Sequence, residues 1–446
     1  MPNNFAYIAL ILWPFISLLF YRHMPIVQAT FWTIVGGFLV LPVKTVIDFP
    51  FIPPLDKELI PVIAALIGCR YIKKIKIKLV PKEGVERWLV LLFIISPIFT
   101  TLNNQEPFNG IPGLTLHDTI SAIIHQYLFI FPFILGMQII KTYDDQLLLF
   151  KLLVVAGLIY SVPILFEVRM SPQLHTWVYG FFPHSFFQQV RYDGFRSVVF
   201  LGHGLIVSMF IAVSLGAASI LLKEKIKLKI IPPWFIVLYL ILLLYLNKTI
   251  GSFLLGIFVF IAITRLSIHT IRRISLIIIF IALLYPLLSL MDLFPHQQMI
   301  QIATDFDPAR GESLAYRFRN EAILLDHAKD KILFGWGGWN RNRLEGTVTD
   351  GYWIILLGQY GIAGFVSLFG LAVLSVWRAI KTVRHLKDKV EIRIVAYHGL
   401  LVSVIMIDQL PNASIAAWLI FIIGALLGRS NYIKRNHLLN GNSSAS

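Results

Sequence analysis

The chain has 446 residues, of which 57% are hydrophobic and only 14% charged, and its mean hydropathy is +0.75. A soluble core of this length cannot bury so much apolar surface, so the composition excludes a soluble protein and predicts a polytopic membrane protein. The net charge of +15 does not indicate nucleic-acid binding, because the basic residues fall in short clusters between apolar runs. The single cysteine, Cys69, excludes a disulfide framework and a cysteine-based metal site.

The apolar runs predict an all-α fold with about thirteen transmembrane helices, in a range of about 12–14. Each run is close to the length that a helix needs to cross the hydrocarbon core of a bilayer. The predicted spans cover residues 5–21, 28–46, 57–72, 87–102, 119–140, 147–168, 198–221, 233–247, 249–267, 274–293, 351–377, 394–410 and 413–428.

Clusters of Lys and Arg predict the orientation, because such clusters stay on the cytoplasmic side. They stand at 73–78, 223–229, 272–273, 378–389 and 434–435, which leaves the loops 103–118, 169–197 and 294–350, and also the amino terminus, on the outer side. The resulting organisation is an N-terminal bundle of about ten helices at 1–293, a large outer loop at 294–350, C-terminal helices at 351–428 and a cytoplasmic tail at 429–446. The tail is expected to be disordered.

Outer-side basic residues call for an explanation, because the positive-inside rule disfavours them. Arg191 and Arg196 precede a predicted span, and Lys248 occupies a tight outer turn. They either snorkel to lipid headgroups or bind an anionic, phosphate-bearing substrate.

The large outer loop contains a segment with helical spacing of its apolar residues, from Leu314 to Leu325. On a helix that extends back to Arg310, Arg310 and Arg317 would lie two turns apart and could project to the same side, a geometry suited to the oxygens of a diphosphate. The alternative is structural, since Glu321 stands four residues after Arg317 and an exposed salt bridge would join them.

The end of the loop combines tryptophans with an acidic residue. Trp336 and Trp339 flank glycines in GWGGW, and they either anchor the loop at the membrane interface or stack on sugars. Asp350, just before Tyr352, is either a helix N-cap or a catalytic carboxylate. The glycines at 358, 361 and 364 indicate close helix packing. The intramembrane polar residues His125, His398 and Asp408 are either partners in helix packing, which is favoured, or catalytic groups.

This order of parts resembles the superfamily of O-antigen polymerases (Wzy-type) and O-antigen ligases, which are polytopic membrane glycosyltransferases with a GT-C-like fold. The resemblance covers the topology of nearly the whole chain, and its sequence motifs lie between Arg317 and Gly364, closing with DGYWIILLGQYGIAG. It implies a glycosyltransferase of the bacterial inner membrane whose active site faces the periplasm. The implied donor is an oligosaccharide linked to undecaprenyl diphosphate, and neither a metal nor a cofactor takes part.

The resemblance also implies roles for the residues singled out above. Arg317 and Asp350 are the expected catalytic residues, with arginine charge on the leaving diphosphate and Asp350 deprotonating or orienting the acceptor hydroxyl. The expected diphosphate ligands are Arg191, Arg196, Arg310, Arg317 and Lys248. The expected glycan or acceptor contacts are Trp336, Trp339 and Tyr352.

Within the superfamily, a polymerase is favoured over a ligase. Ligases carry a histidine near the end of the large loop, and here that neighbourhood reads TVTDGYW, with Asp350 and no histidine. A ligase that transfers glycan to lipid A core or to protein is the alternative, and a polysaccharide flippase or other transporter is the second alternative. A chain-length regulator is the protein partner that the resemblance implies, beside the lipid bilayer itself.

Overall fold

The computed structural model describes residues 1–49, 52–191, 194–228 and 231–443. In this part of the chain, helices dominate, and one antiparallel ribbon joins β1 (Val190–Arg191) to β2 (Gly194–Phe195). The α-helices are α1 Asn4–His23, α2 Ile26–Phe31, α3 Gly37–Val40, α4 Leu59–Ile67, α5 Val85–Leu102, α6 Leu116–Ile139, α7 Tyr143–Met170, α8 Leu174–Tyr179, α9 Gly204–Lys223, α10 Pro233–Leu246, α11 Ile250–Arg265, α12 Ile268–Leu290, α13 His296–Phe306, α14 Pro308–Lys329, α15 Tyr352–Thr382, α16 Lys389–Asp408 and α17 Ala417–Ser443. Two π-helical turns, Trp32–Gly36 and Gly68–Ile72, respectively join α2 to α3 and prolong α4, and 3-10 turns cover Phe187–Gln189 and Val383–His385.

Every predicted span overlaps helical residues, although residues 41–46 and 198–203 are not helical, and an all-α polytopic membrane protein is confirmed. In the described chain, eight helices are long and apolar enough to cross a membrane, namely α1, α5, α6, α7, α9, α12, α15 and α16. Four other apolar helical segments, Ile26–Val40, Leu59–Ile72, Pro233–Leu246 and Ile250–Arg265, have only 10–17 residues. Because a straight span needs about 20 residues, length and composition support fewer full spans than the thirteen predicted.

The last helix corrects the expectation of a disordered tail. α17 begins at Ala417 and continues to Ser443, well beyond the predicted end of the span at residue 428. Its basic residues Lys434 and Arg435 therefore stand on a helix. Residues 444–446 lie outside the described part.

Basic clusters from distant parts of the chain meet at one end of the bundle. The backbone N–H of Lys78 donates to Gln138 Oε1 at the end of α6 (2.9 Å), and Arg378 in α15 pairs with Glu86 in α5 (2.8 Å). A cavity of about 1080 Å³ at this end is lined by Lys76, Lys78, Lys82, Lys141, Arg378, Lys434 and Arg435, among others. The predicted inner-side clusters thus share one end of the molecule.

The loops predicted to face outward pack together at the other end. Lys331 Nζ donates to the carbonyl of Asn103 (2.7 Å), and the buried guanidinium of Arg341 donates to the carbonyls of Glu106 (3.0 Å) and Pro112 (2.8 Å). The amino terminus lies here too, since the Asn3 side chain donates to the carbonyl of Val178 (3.0 Å).

α15 is broken where it meets this outer layer. Gly361 adopts φ +62°, and a Cβ there would approach the backbone of Leu333 and Phe334 at 2.4 Å. The break frees backbone groups that bond to the loop instead: the N–H of Ile362 donates to the carbonyl of Ile332 (2.8 Å). The missing side chain of Gly361 therefore makes room for the loop at 332–334. The prediction that Gly361 serves close helix packing is wrong.

Close helix packing is found between α6 and α17. A Cβ at Gly136 would stand 2.3 Å from the carbonyl oxygen of Phe421, and one at Gly424 would stand 2.1 Å from that of Phe133. Glycines let two backbones approach in a membrane, where packing rather than hydrophobic burial drives helix association. This contact holds α17 against the bundle and so fixes the loop that precedes it, 409–416.

Candidate functional site

α14 carries the arginines of the large loop on a regular helix. The Asp307 carboxylate accepts a hydrogen bond from the backbone N–H of Ala309 (3.0 Å), and Pro308 occupies the first helical position. Residues spaced by three and four along α14 share one face, which turns towards α12 and the start of α15. These residues are Leu314, Arg317, Phe318, Glu321 and Leu324.

This face of α14 closes a cavity of about 230 Å³ that we call the α14 cavity. Its remaining lining residues are Tyr285, Val348, Asp350, Gly351, Ile354, Leu410 and Pro411. Arg317 Nε lies 3.6 Å from Asp350 Oδ2, and Arg317 Nη1 donates to the carbonyl of Pro411 (3.2 Å). Both charged side chains remain 37% exposed, so a ligand can reach them.

Glu321 occupies the inner wall of the α14 cavity and does not pair with Arg317. The Tyr285 hydroxyl donates to Glu321 Oε1 at 2.6 Å, and His296 Nε2 lies 3.7 Å from the same oxygen. Burial raises the pKa of Glu321 to about 7 against the hydrogen bonds that lower it, and burial also lowers the pKa of His296. The expected i,i+4 salt bridge between Arg317 and Glu321 is therefore absent, and Glu321 contacts the phenol of Tyr285 and the imidazole of His296 instead.

Asp350 is not the N-cap of the following helix. Gly351 holds the N-cap position of α15, and no side chain caps it. The Asp350 carboxylate faces Arg317 across the cavity instead. The alternative of a purely helix-capping aspartate is thus wrong, and Asp350 belongs to the α14 cavity.

Tyr352 turns away from the α14 cavity. Its ring lies 6.4 Å from that of Phe129 in α6, and its backbone N–H donates to the carbonyls of Gln409 and Asn412. Asp408 fixes this turn, because its carboxylate accepts hydrogen bonds from Asn412 and Ser414 (2.8 Å each). Tyr352 is therefore not brought together with Arg317, although it helps to hold the 409–416 loop that supplies Pro411.

The two tryptophans of GWGGW have different environments. Trp336 is buried: His327 stacks on it with ring centroids 4.3 Å apart, Phe108 packs at 4.5 Å, and its Nε1 donates to the carbonyl of His327. Its ring is thus enclosed by protein, so the prediction that it contacts glycan is wrong and it packs the loop.

Trp339 is 67% exposed at the mouth of a second cavity, of about 280 Å³. Its Nε1 donates to Asp118 Oδ1 (2.9 Å), and His125 and Gln359 line the same cavity. The backbone of Trp339 has φ +58°, an uncommon conformation for a bulky residue. A free indole face beside a carboxylate and an amide is a surface on which a sugar can stack and form hydrogen bonds.

Arg191, Arg196 and Lys248 form a separate basic group around the β1–β2 ribbon. Lys248 Nζ donates to the carbonyl of Arg191, and Arg196 Nε donates to the carbonyl of Lys248, both at 3.3 Å. The structure therefore brings these three predicted ligands together.

A buried carboxylate holds the segment that follows Arg196. Glu167 in α7 accepts hydrogen bonds from the backbone N–H groups of Val198 and Val199 (2.7 Å each) and of Leu174 (2.9 Å). Val199 has φ +47°, a strained value for a β-branched residue. Glu167 was not among the predicted site residues. Its position as an acidic residue inside an apolar run is a sequence signal for such a role.

The predicted diphosphate ligands do not form one cluster in the described structure. Arg310 pairs with Asp307 on the first turn of α14 (3.4 Å) and does not line the α14 cavity.

A third cavity of about 210 Å³ is lined by four charged residues, Lys44, Asp56, Lys57 and Glu58. Ser414, from the loop that supplies Pro411 to the α14 cavity, also lines it. So does Leu201, from the segment after Arg196. Lys57 is buried here, although the sequence did not single it out as a candidate ligand.

No protein-family model matches the chain, and no curated protein matches it significantly. The resemblance described above therefore remains a prediction from topology and motifs.

Proposed function

We propose that the protein is a Wzy-type polysaccharide polymerase of the bacterial inner membrane. It would join repeat units of O-antigen, capsule or exopolysaccharide that are linked to undecaprenyl diphosphate, on the periplasmic side and with inversion at the anomeric carbon. The observation that carries this proposal is the Arg317–Asp350 pair, which lines an accessible cavity at the end of the bundle opposite the basic clusters.

The chemistry of the pair suits transfer from a lipid diphosphate. Guanidinium groups bind the oxygens of phosphates through paired hydrogen bonds, and fixed positive charge stabilises a diphosphate that leaves with negative charge. In the proposed reaction Arg317 supplies this charge at the reacting centre. Arg191, Arg196 and Lys248 lie in a separate group, so their binding to phosphate stays a prediction from the sequence. Trp339 stacks on the glycan.

Replacing Arg317 by alanine tests the proposal. Because the cationic side chain is removed from the cavity, chain extension in cells should fall at least ~100-fold, the loss typical of removing one electrostatic contact to a transition state. The readout is the ladder of polymer lengths on a gel, together with the amount of the variant in the membrane fraction.

Arg319→Ala is the matched control, since Arg319 lies on the same helix, is exposed and does not line the α14 cavity. It should leave the ladder unchanged. Full-length polymer from Arg317→Ala would refute the assignment.

The same gel separates the alternative function. Loss of a polymerase leaves single repeat units on the final acceptor, whereas loss of a ligase leaves polymer that never reaches it. We expect single units, because the end of the large loop reads TVTDGYW and lacks the histidine that ligases carry in that neighbourhood.

A further inference from the structure

The α14 cavity contains two carboxyl groups with different partners. Asp350 faces the guanidinium of Arg317 at 3.6 Å, so its charge is engaged in an ion pair. Glu321 receives a hydrogen bond from the Tyr285 hydroxyl and meets His296, and its side chain is only 14% exposed. Two carboxyl groups in one site whose surroundings differ in this way commonly divide the acid–base and electrostatic roles.

We propose that Glu321 is the general base of the site, accepting the proton of the acceptor hydroxyl, and that Asp350 positions Arg317. This inference rests on the proposed function. It changes the assignment suggested by the resemblance, in which Asp350 acts on the hydroxyl.

The step balances as an inverting displacement. The acceptor oxygen attacks the anomeric carbon of the donor's reducing-end sugar, and a new glycosidic C–O bond forms. The bond from that carbon to the diphosphate oxygen breaks, and its electron pair stays on the polyprenyl diphosphate. Arg317 stabilises the negative charge of this leaving group. The hydroxyl proton passes to the Glu321 carboxylate and is later released to water.

The groups that face Glu321 decide when it can accept a proton. Tyr285 from α12 and His296 from α13 contact it, whereas Arg317 from its own helix and Asp350 from the end of the loop line the same cavity. Tyr285 donates to the carboxylate and so favours its ionised form, whereas burial favours the protonated form. A carboxyl whose pKa lies near the working pH is half ionised there and well matched to proton transfer.

The experiment uses the full-length purified protein with a synthetic polyprenyl-diphosphate oligosaccharide that serves as donor and acceptor. Rates of glycosidic bond formation are measured across pH 5–9 at saturating substrate. For the unaltered protein the rate should rise with pH to a plateau, with a midpoint near 7, because only ionised Glu321 accepts the proton.

Glu321→Gln should lower the plateau rate by ~10²–10⁴-fold, the usual contribution of a general base, with donor affinity retained. Glu321→Asp keeps a carboxyl and should recover part of that loss. Asp350→Asn should weaken donor binding while leaving the pH midpoint in place. A Glu321→Gln enzyme with the normal rate and pH profile would overturn the inference.

Tyr285→Phe provides a second test that does not remove Glu321. The variant deletes one hydroxyl that stabilises the ionised carboxyl, so the midpoint should shift to higher pH. A structural role of Glu321 would leave the midpoint in place, and an unshifted midpoint would count against the inference.

Arg317→Ala separates failure of the inference from failure of the proposed function. If this variant is inactive while Glu321→Gln is fully active, only the role of Glu321 is wrong. If the unaltered protein forms no glycosidic bond, or if Arg317→Ala keeps full activity, the proposed function itself fails and the inference fails with it.

Discussion

Arg317 is held by the chain from two directions, through its ion pair with Asp350 and its hydrogen bond to the carbonyl of Pro411. These partners come from the end of the large loop and from the turn between α16 and α17. A side chain that is restrained in this way loses less conformational entropy when it binds an anion than a free surface arginine would. In this respect Arg317 differs from Arg310. The ion-pair partner of Arg310 is Asp307, which lies only three residues away in the chain.

At the residue scale, Glu167 is the clearest target for a stability measurement. Its carboxylate accepts hydrogen bonds from three backbone N–H groups. In Glu167→Gln, the side-chain NH₂ would either face one of these donors or leave a backbone N–H without an acceptor. We expect a loss of about 1–3 kcal/mol in the free energy of unfolding. Thermal unfolding of the purified protein measures it.

The control is Glu312→Gln, because Glu312 is an exposed carboxylate on α14. This variant should unfold at the same temperature as the parent. Equal unfolding temperatures for both variants would mean that Glu167 does not hold the segment at 197–199.

At the scale of elements, the broken helix α15 joins the membrane bundle to the outer layer. Its first part, before Gly361, binds the loop 331–337. The backbone N–H groups of Trp336 and Gly337 donate hydrogen bonds to the carbonyls of Gly358 and Gln359. The helix as a whole packs against α5, α12, α16 and α17. The break thus allows one helix to position the α14 cavity and to stabilise the bundle.

Gly361→Ala should destabilise the protein by about 1–3 kcal/mol, because alanine is strained at positive φ and its Cβ would meet the backbone of Leu333. Gly338→Ala is the matched control in the same layer: a Cβ there meets nothing within 4 Å. Circular-dichroism melting curves of the two variants decide the point, and a stable Gly361→Ala protein would show that the break is not required.

At the scale of the whole molecule, the separation of basic and outer ends predicts the topology. Glu106→Cys, in an outer loop, should react with a membrane-impermeant maleimide in intact cells. Lys387→Cys, between α15 and α16, should react only after the membrane is opened. Both positions are exposed and native Cys69 is buried, which keeps the background low. Labelling of both sites in intact cells would contradict the orientation.

The positions of the membrane helices could be read from the sequence, because a run of apolar residues is a local property. The helix of Arg317 could also be predicted, from the spacing of its apolar residues. The partners could not: Tyr285 lies 36 residues before Glu321, and Pro411 lies 94 residues after Arg317. A spacing of four therefore suggested the wrong partner for Glu321. Similarly, a pattern of glycines does not distinguish a close contact between two helices from a break in one helix, because both require a residue without a side chain.

The short helices α10 and α11 create hydrophobic mismatch on one flank of the protein. With 14 and 16 residues they extend ~21 and ~24 Å, against a hydrocarbon core of ~30 Å. Their outer faces, including the exposed Leu238, Tyr245 and Leu254, are apolar. A bilayer adapts to spans this short by thinning, by snorkelling of flanking side chains or by oligomerisation of the protein. Lys248 sits at the turn between these helices. Thinning beside this flank would bring lipid headgroups deeper, towards the level of Lys248, and the proposed lipid diphosphate could then reach Lys248 from within its leaflet.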